Sequence, residues 1–249
     1  MAIAGLKLRC SSASMTRRRW IADEVSETHA ALQGEHADHL IRALRARVGQ
    51  EFDIATGSAV RHGKITSIRD GRVEFELGEE LGADSCANIT LLLSIFKFDR
   101  MEWAIEKCTE LGVAKIVPVI ARRTDAHLAA ASAKRVERWR KIALQAAEQS
   151  RRSAVAEITT PMKVQQAVKL AGAPRILLNE SEQEDTLREL LSAHKRESEI
   201  LLAIGPEGGW AEDELQLFSN EGWISASLGS TILRVETAAI AATAITMAE

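Results

Sequence analysis

Tyrosine is absent from this 249-residue chain, and aromatic residues make up only 4% of it. No phenol is therefore available as an acid, a base or a nucleophile. Cysteine is scarce: Cys10, Cys86 and Cys108 are odd in number, far apart, and form no Cys-x-x-Cys pair. That excludes a disulfide framework and a cysteine-based zinc site, and it suits a reducing cytosol. No apolar run approaches the roughly 20 residues needed to span a bilayer. No apolar segment follows Arg17, Arg18 and Arg19 in the manner of a secretory signal. The expectation is a cytoplasmic protein with no membrane partner. Gly-x-Ser-x-Gly and His-Glu-x-x-His are both missing, which removes the usual hydrolytic machinery. The dinucleotide fingerprint Gly-x-Gly-x-x-Gly and the phosphate-binding Gly-Lys-Ser/Thr are missing too.

The remaining composition is that of an ordinary globular protein, with 46% hydrophobic and 27% charged residues. The length suits one or two domains and is enough to bury a core without metal or disulfide staples. Net charge is −3. It is unevenly spread: residues 1–75 carry 12 Lys and Arg against 9 Asp and Glu, and the rest of the chain is acidic. A basic N-terminal part is compatible with RNA, although so small a surplus equally describes a solvated surface.

The first 80 residues read as short strands and turns. Gly49–Ile54 alternates polar and apolar residues and meets a turn at Gly57-Ser58. Lys64–Ile68 leads into Asp70-Gly71, a two-residue hairpin signal, and Arg72–Leu77 then alternates strictly. One helical stretch lies between Glu35 and Arg47, with Ala37, Leu40, Ile41 and Leu44 at helical spacing. A small β-barrel with one helix is the economical reading. Residues 78–88 look like a linker, being rich in Gly, acid and small residues without periodicity.

Beyond residue 88 the texture changes. Ile89–Phe96, Lys115–Ile120, Arg175–Leu178 and Ile200–Ile204 are apolar runs of the kind buried on both faces of a sheet. Ser225–Leu228 reads as a further short strand. Met101, Ala104, Ile105, Cys108 and Leu111 form a helical stripe closed by Gly112. Helices are expected over 133–150, over Glu212–Phe218 and over Val235–Met247. Strands alternating with helices define an α/β domain with a mostly parallel sheet. The domains are expected at residues 1–77 and 88–249.

Four constellations stand out. Ile204-Gly205-Pro206-Glu207-Gly208-Gly209-Trp210 follows a buried strand and precedes a helix, where open α/β sheets bind ligands. Its glycines permit close backbone approach, as they would in a purely structural turn. Leu228-Gly229 begins a second loop that runs to Arg234 and Glu236 at the start of the last helix, where a Glu also suits the helix dipole. Lys134, Arg138, Lys141, Gln145, Glu148 and Arg152 form one polar helical stripe. It reads either as a solvated face or as a phosphate-reading edge ending at a reactive Arg152. Finally, Arg17, Arg18 and Arg19 adjoin Trp20, a combination suited to phosphate contact and base stacking. His36 and His39 have helical i, i+3 spacing, but no third ligand is evident, so no metal site is expected.

Taken together, Ile204–Gly209, Ser227–Ala238 (Ser-Leu-Gly-x-x-Ile-Leu-Arg-x-Glu-Thr-Ala) and Ala147–Arg152 (Ala-Glu-Gln-Ser-x-Arg) resemble the bacterial 16S ribosomal RNA (uracil-N3) methyltransferases of the SPOUT superfamily. Asp99–Trp103, Thr109–Gly112, Glu137–Trp139 and the segment containing His39, Arg42, Leu44 and Arg45 fit the same pattern. The chain departs from it with Phe98 where Gly is usual, with Asn179 where His is common, and with Trp210-Ala211 lacking a capping hydroxyl. The resemblance implies an N-terminal PUA-like β-barrel that binds RNA and a C-terminal α/β domain with a deep trefoil knot. Knots are rare enough that sequence physics alone would not have proposed one. It also implies a homodimer, with 16S rRNA or the assembled small ribosomal subunit as partner. S-adenosylmethionine would sit against Leu178, Asn179 and Glu180, against Ile204, Gly205, Pro206, Gly208 and Gly209, and against Leu228, Gly229, Ile232 and Leu233.

Methylation of uracil N3 requires alignment, loss of the imide proton and stabilisation of a developing anion. A guanidinium suits the last task. Arg152 is the first candidate and Arg234 the second, with Glu148 or Glu207 orienting an arginine or accepting the proton. Arg17, Arg18, Arg19, His39, Arg42 and Arg45 are the candidate RNA contacts. Two other readings stay open: a dinucleotide-dependent oxidoreductase, and a non-catalytic RNA-binding factor in ribosome assembly.

Overall fold

A computed structural model describes residues 19–57, 59–82, 88–182, 184–193 and 199–249. It divides into the units Met1–Asp84 and Ser85–Glu249. Arg17 and Arg18 lie outside the described residues, as do residues 83–87 of the expected linker.

The first unit carries strands β1 (Arg19–Ile21), β2 (Glu24–Val25), β3 (His29–Leu32), β4 (Glu51–Ala55), β5 (Val60–Arg69) and β6 (Arg72–Gly82). Their order in the sheet is β1-β4-β5-β6-β3-β2. Only the β1–β4 pairing is parallel; the others are antiparallel. The β5–β6 hairpin closes through Asp70 and Gly71, whose φ angles of 49° and 71° match the twist of the flanking strands. Alternation along β6 buries Val73, Phe75 and Leu77 against Trp20, Leu32, Leu40, Ile54 and Ile65. Residues 78–82, expected as linker, are strand instead. Backbone pairing of Val60 with Gly82 and Arg61 with Glu80 overrides their unpatterned, exposed side chains.

The helical stretch expected from Glu35 to Arg47 is shorter and irregular. Helix α1 (Gly34–Asp38) passes into a π-helical turn over His39–Ala43. Arg45, at φ 52°, ends it. Leu40 is fully buried, and Ile41 and Leu44 pack against the same core.

The second unit holds β7 (Ile89–Ser94), α2 (Phe98–Leu111), β8 (Lys115–Ile120), α3 (Ala126–Ser132), α4 (Val136–Gln149), β9 (Glu157–Ile158), β10 (Met162–Lys163), α5 (Val164–Ala167), β11 (Arg175–Leu178), α6 (Leu187–Ala193), β12 (Ile200–Ile204), α7 (Glu212–Asn220), β13 (Ile224–Ala226) and α8 (Val235–Ala248). The sheet order is β10-β8-β7-β12-β11-β13, with β9 also on β8, and every pairing is parallel. Strand β12 fills the place between β7 and β11.

Continuous apolar runs are explained by two cores, one on each face. Ile89, Leu91 and Leu93 of β7 join α2, α4 and α8 in one core; Leu92 faces the other, beside Trp210, Phe218 and Trp223. Each such side chain contributes roughly 1.5–3 kcal/mol when buried. Small residues let α8 lie close to α2: Ala239, Ala242 and Thr243 are buried, and the Thr243 hydroxyl lies 3.5 Å from Cys108 Sγ. Burial pushes the Cys108 thiol up to about 12. At the end of α2, Gly112 has φ 117°, and a Cβ there would lie 2.8 Å from Met247 Cε. The strand expected at Ser225–Leu228 is Ile224–Ala226, set by its register with Ile176–Leu178. Helices α3, α5 and α6 and the two-residue strands β9 and β10 carry too little periodicity to be read in advance.

Candidate functional site

An all-parallel sheet delivers the carboxyl ends of its strands to one edge. Here that edge receives the loops after β11, β12 and β13, together with the N-termini of α2, α7 and α8. Three segments far apart in sequence thus meet around one cleft of about 750 Å³, its open mouth included.

Eleven of the twelve residues expected around a cofactor line this cleft: Leu178, Asn179, Glu180, Ile204, Gly205, Pro206, Gly209, Leu228, Gly229, Ile232 and Leu233. Gly208 does not. Its carbonyl turns outward and accepts a hydrogen bond from Arg123 Nη1 at 2.6 Å. The lining also includes Ser230 and Thr231, within the expected Leu228–Leu233 stretch, and Trp210 and Ser227, which were not among the expected cofactor contacts.

The loop after β12 is held rigidly. Gly209 N–H donates to the Pro206 carbonyl at 2.8 Å, closing a tight turn. Trp210 packs edge-on against Phe218 at 4.8 Å, and Phe218 against Trp223 at 5.1 Å. The indole N–H of Trp210 donates to the Leu178 carbonyl at 3.2 Å, joining the β11 and β12 loops. A Cβ on Gly205 would lie 3.1 Å from that indole nitrogen, so glycine is what allows the ring to close over the strand end. Gly209 has φ 70°, and a Cβ there would meet Glu180 Oε1 at 3.0 Å. The aromatic directly after the glycine pair was the available signal for this arrangement. The missing capping hydroxyl at Ala211 is compensated by buried Glu214. One of its oxygens accepts from Ala211 N–H at 3.0 Å and the other from Arg122 N–H at 2.8 Å.

The loop after β11 is tied to β13, since Asn179 N–H donates to the Ala226 carbonyl at 3.0 Å. The Asn179 side chain accepts from Ser181 N–H at 3.1 Å, a turn-forming role that does not need histidine chemistry. Apolar walls from Leu178, Ile204, Leu228, Leu233, Val235 and Ala238, with glycine backbone between them, suit a flat heteroaromatic ring. The Glu180 carboxylate at the rim supplies an acceptor for hydroxyl groups. This donor set fits an adenosine-bearing ligand.

A second recess shares Glu180, Pro206, Ile232, Leu233 and Val235 with the cleft and adds Arg100, Glu207, Arg234 and Glu236. Two of the expected catalytic residues, Arg234 and Glu207, are therefore beside the cleft. Arg100, from the first turn of α2, lies 3.4 Å from Glu207 and 3.8 Å from Glu236.

Arg152, the first candidate to stabilise the developing anion, lines neither the cleft nor the recess. It is buried, and its guanidinium donates to the carbonyls of Thr109 at 2.9 Å, Val113 at 2.8 Å and Gly112 at 3.2 Å. It thus caps the C-terminal end of α2, where the helix dipole favours a cation. Glu148, three residues before Arg151 on the same turn, lines neither the cleft nor the recess.

In the first unit, the His39 ring tilts against Trp20 at 5.7 Å. Arg42 is exposed and lies 3.5 Å from Asp38, while Arg45 is exposed on the irregular turn. Arg19 is partly buried at the start of β1. Among the described residues, no group of three His, Cys, Asp or Glu side chains is placed to hold a metal. No helix among them is long and apolar enough to cross a membrane.

Residues 83–247 match the family model described as an RNA methyltransferase domain. The chain is 32% identical over 217 residues to ribosomal RNA small subunit methyltransferase E of Rickettsia conorii, covering 86% of this chain and 87% of that one. It is 30% identical to the protein of the same name from Synechocystis, over 92% of this chain and 76% of the relative. Among solved structures, a methyltransferase of Legionella pneumophila in complex with its cofactor SAM superposes with a TM-score of 0.78 at 27% identity, covering 93% and 97% of the two chains. Ribosomal RNA small subunit methyltransferase E of Neisseria gonorrhoeae, bound to S-adenosyl methionine, superposes with a TM-score of 0.75 at 29% identity, covering 92% and 95%.

Proposed function

The chain belongs to the RNA methyltransferase domain family, and from that premise we propose that it methylates N3 of a uridine in 16S ribosomal RNA. The protein is an S-adenosylmethionine-dependent ribosomal RNA methyltransferase. The observation that carries the reading is the cleft itself: three loops distant in sequence, two of them carrying segments that resemble the family, close around one cavity lined by apolar side chains, glycine backbone and a few polar groups. S-adenosylmethionine supplies an electrophilic methyl group on a sulfonium.

The chain's own residues supply the rest. Leu178, Ile204, Leu228 and Leu233 would hold the adenine, Gly205 and Gly209 would let the backbone approach it, and Glu180 would accept from the ribose hydroxyls. Arg234 and Glu207 stand at the adjoining recess, where a target base would enter. The RNA would be gripped by residues 1–77, read as a PUA-like barrel. Arg17, Arg18, Arg19, His39, Arg42 and Arg45 are its contacts there, phosphate charge being matched by arginine. The domain of residues 88–249 is proposed to carry the trefoil knot and to pair with a second copy, and the enzyme to act in the cytoplasm on 16S rRNA or the small subunit.

Calorimetry with S-adenosylmethionine and then S-adenosylhomocysteine tests the cofactor site. Binding of both at about one per protomer is expected, and absence of binding at high ligand concentration overturns the assignment. Mass spectrometry of small-subunit RNA incubated with enzyme and cofactor should show one added methyl on a uridine. Methylation of a different base would overturn the choice of N3.

A further inference from the structure

We propose that Glu236, supported by Arg100, is the group that recognises the imide edge of the target uracil and receives its N3 proton; this rests on the methyltransferase reading above. The argument starts from a buried carboxylate that the chain leaves half satisfied. Glu236 is 5% exposed, and among the described residues its Oε2 has no hydrogen-bond partner. Its Oε1 lies 3.8 Å from Arg100 Nε. A native fold rarely leaves such an atom unsatisfied without a reason. Glu236 lines the recess beside the cofactor cleft. The last torsion of a glutamate is soft, so either oxygen can be presented there.

The recess is chemically specific. A uracil imide offers a donor, N3–H, flanked by two carbonyl acceptors. Its complement is an acceptor flanked by donors. Glu236 is the acceptor, and the adjacent Arg100 is the donor. The Arg100 guanidinium is steered by two carboxylates: Nη1 lies 3.4 Å from Glu207 and Nε 3.8 Å from Glu236. Among the described residues its Nη2 makes no further bond and is available to a uracil carbonyl. The same residues argue against a phosphate in this place. Three carboxylates, from Glu180, Glu207 and Glu236, face only two guanidiniums, from Arg100 and Arg234. A neutral base unstacked from the RNA, as such enzymes require, suits that balance better than an anion.

Arg100 then serves twice, orienting Glu236 and stabilising negative charge on the uracil carbonyl. As N3 forms its bond to the methyl carbon, the carbon–sulfur pair stays on sulfur and the N3 proton passes to Glu236. Charge is conserved, since a sulfonium and a carboxylate become a thioether and a carboxylic acid.

The test uses the full-length protein with S-adenosylhomocysteine bound, so that no reaction occurs. Its affinity is measured for small-subunit RNA transcribed in vitro and for the same RNA after exhaustive methylation by the wild-type enzyme. Wild type should prefer the unmethylated RNA by about tenfold or more, the scale of one hydrogen bond to a charged group. E236Q and E236A should lose most of that preference while binding S-adenosylhomocysteine within twofold of wild type. Turnover by E236Q should fall about 100-fold or more, the usual share of general base catalysis. Rescue by Glu236→Asp above the level of E236Q would support a carboxylate role. A preference undiminished in both variants, with normal cofactor binding, overturns the Glu236 assignment alone. Loss of cofactor binding in E236Q assigns the residue to the cofactor site and overturns it too. A wild-type protein that binds neither S-adenosylmethionine nor S-adenosylhomocysteine overturns this proposal together with the reading beneath it. Should both Glu236 variants fail to fold, R100Q carries the same measurement, with the same loss of preference expected.

Discussion

The two sheets of this protein solve opposite problems. In the first unit, β5 and β6 are neighbours in sequence, and a two-residue turn at Asp70-Gly71 sets their register. Side chains alternate between a buried and a wet face, and most of the sheet's information is local. In the second unit, β7 is buried at all six positions, and its partners β8 and β12 both lie further along the chain, with other strands and helices between. Pairing there is decided by distant segments. The difference teaches why the cleft is where it is. A hairpin returns the chain beside itself, so it cannot collect remote loops at one point. A parallel sheet must cross over between strands, and every crossover brings another loop to the same edge. The cleft is built from residues near 178, 205 and 228 because β11, β12 and β13 run in the same direction.

The largest effect should come from attacking the doubly buried sheet. Leu92→Ala opens the second core between Val117 and Ala203 and is expected to cost about 2–5 kcal/mol, lowering the melting temperature by roughly 2–4 °C for each kcal/mol. The matching change on the wet face of β6, Glu76→Ala, should stay within about 0.5 kcal/mol. Similar losses in chemical denaturation of the two variants would break the contrast between the sheets.

Arg152→Met retains the apolar stem and removes the guanidinium that holds the end of α2. Three hydrogen bonds from the guanidinium are lost, although Thr109 O still accepts from Gly112 N–H, and a loss of about 2–3 kcal/mol is expected. Cofactor affinity by calorimetry should be unchanged. A variant of normal melting temperature that loses turnover would restore Arg152 to the reaction and undo the structural role assigned to it.

Trp210→Phe keeps an aromatic ring edge-on to Phe218 but removes the bond to the Leu178 carbonyl. A loss of about 1 kcal/mol is expected, which corresponds to roughly fivefold weaker S-adenosylmethionine binding if it falls on the order of the cleft. An unchanged dissociation constant would show that the β11 and β12 loops hold their positions without this link.

The smallest effect on stability belongs to the exposed turn of the first unit. Arg42→Ala should leave the melting temperature within about 1 °C, as its contact with Asp38 is solvent-exposed. It should weaken RNA binding evenly across sequences and lower the salt slope of that binding by about 1. A slope identical to wild type would remove Arg42 from the RNA contacts.

Much of the architecture was legible in residue order. Strict alternation in Arg72–Leu77, apolar continuity in Ile89–Ser94 and Ile200–Ile204, and the stripe of α2 ending at Gly112 all follow from local periodicity and backbone preference. Glycine density after β12 marked a loop that lines the cleft, because glycine tolerates the close approach of Trp210 and the positive φ of Gly209. Local pattern failed where pairing overrode composition, as in residues 78–82, and where a helix was interrupted by π-helical geometry at His39–Ala43.

The polar residues of the site were another matter. Arg152 and Arg100 look alike in sequence, each an arginine near a helix end. Only the folded chain turns Arg152 inward to the carbonyls of Thr109, Gly112 and Val113 and sets Arg100 between Glu207 and Glu236. Sequence by itself determined the longer buried strands, the main helices and the loops that bend, since these follow from periodicity and from the backbone limits of single residues. Tertiary structure alone decided which charges meet, because an ion pair or a carbonyl cap joins residues about 40 to 140 apart, and nothing in the local pattern encodes that distance.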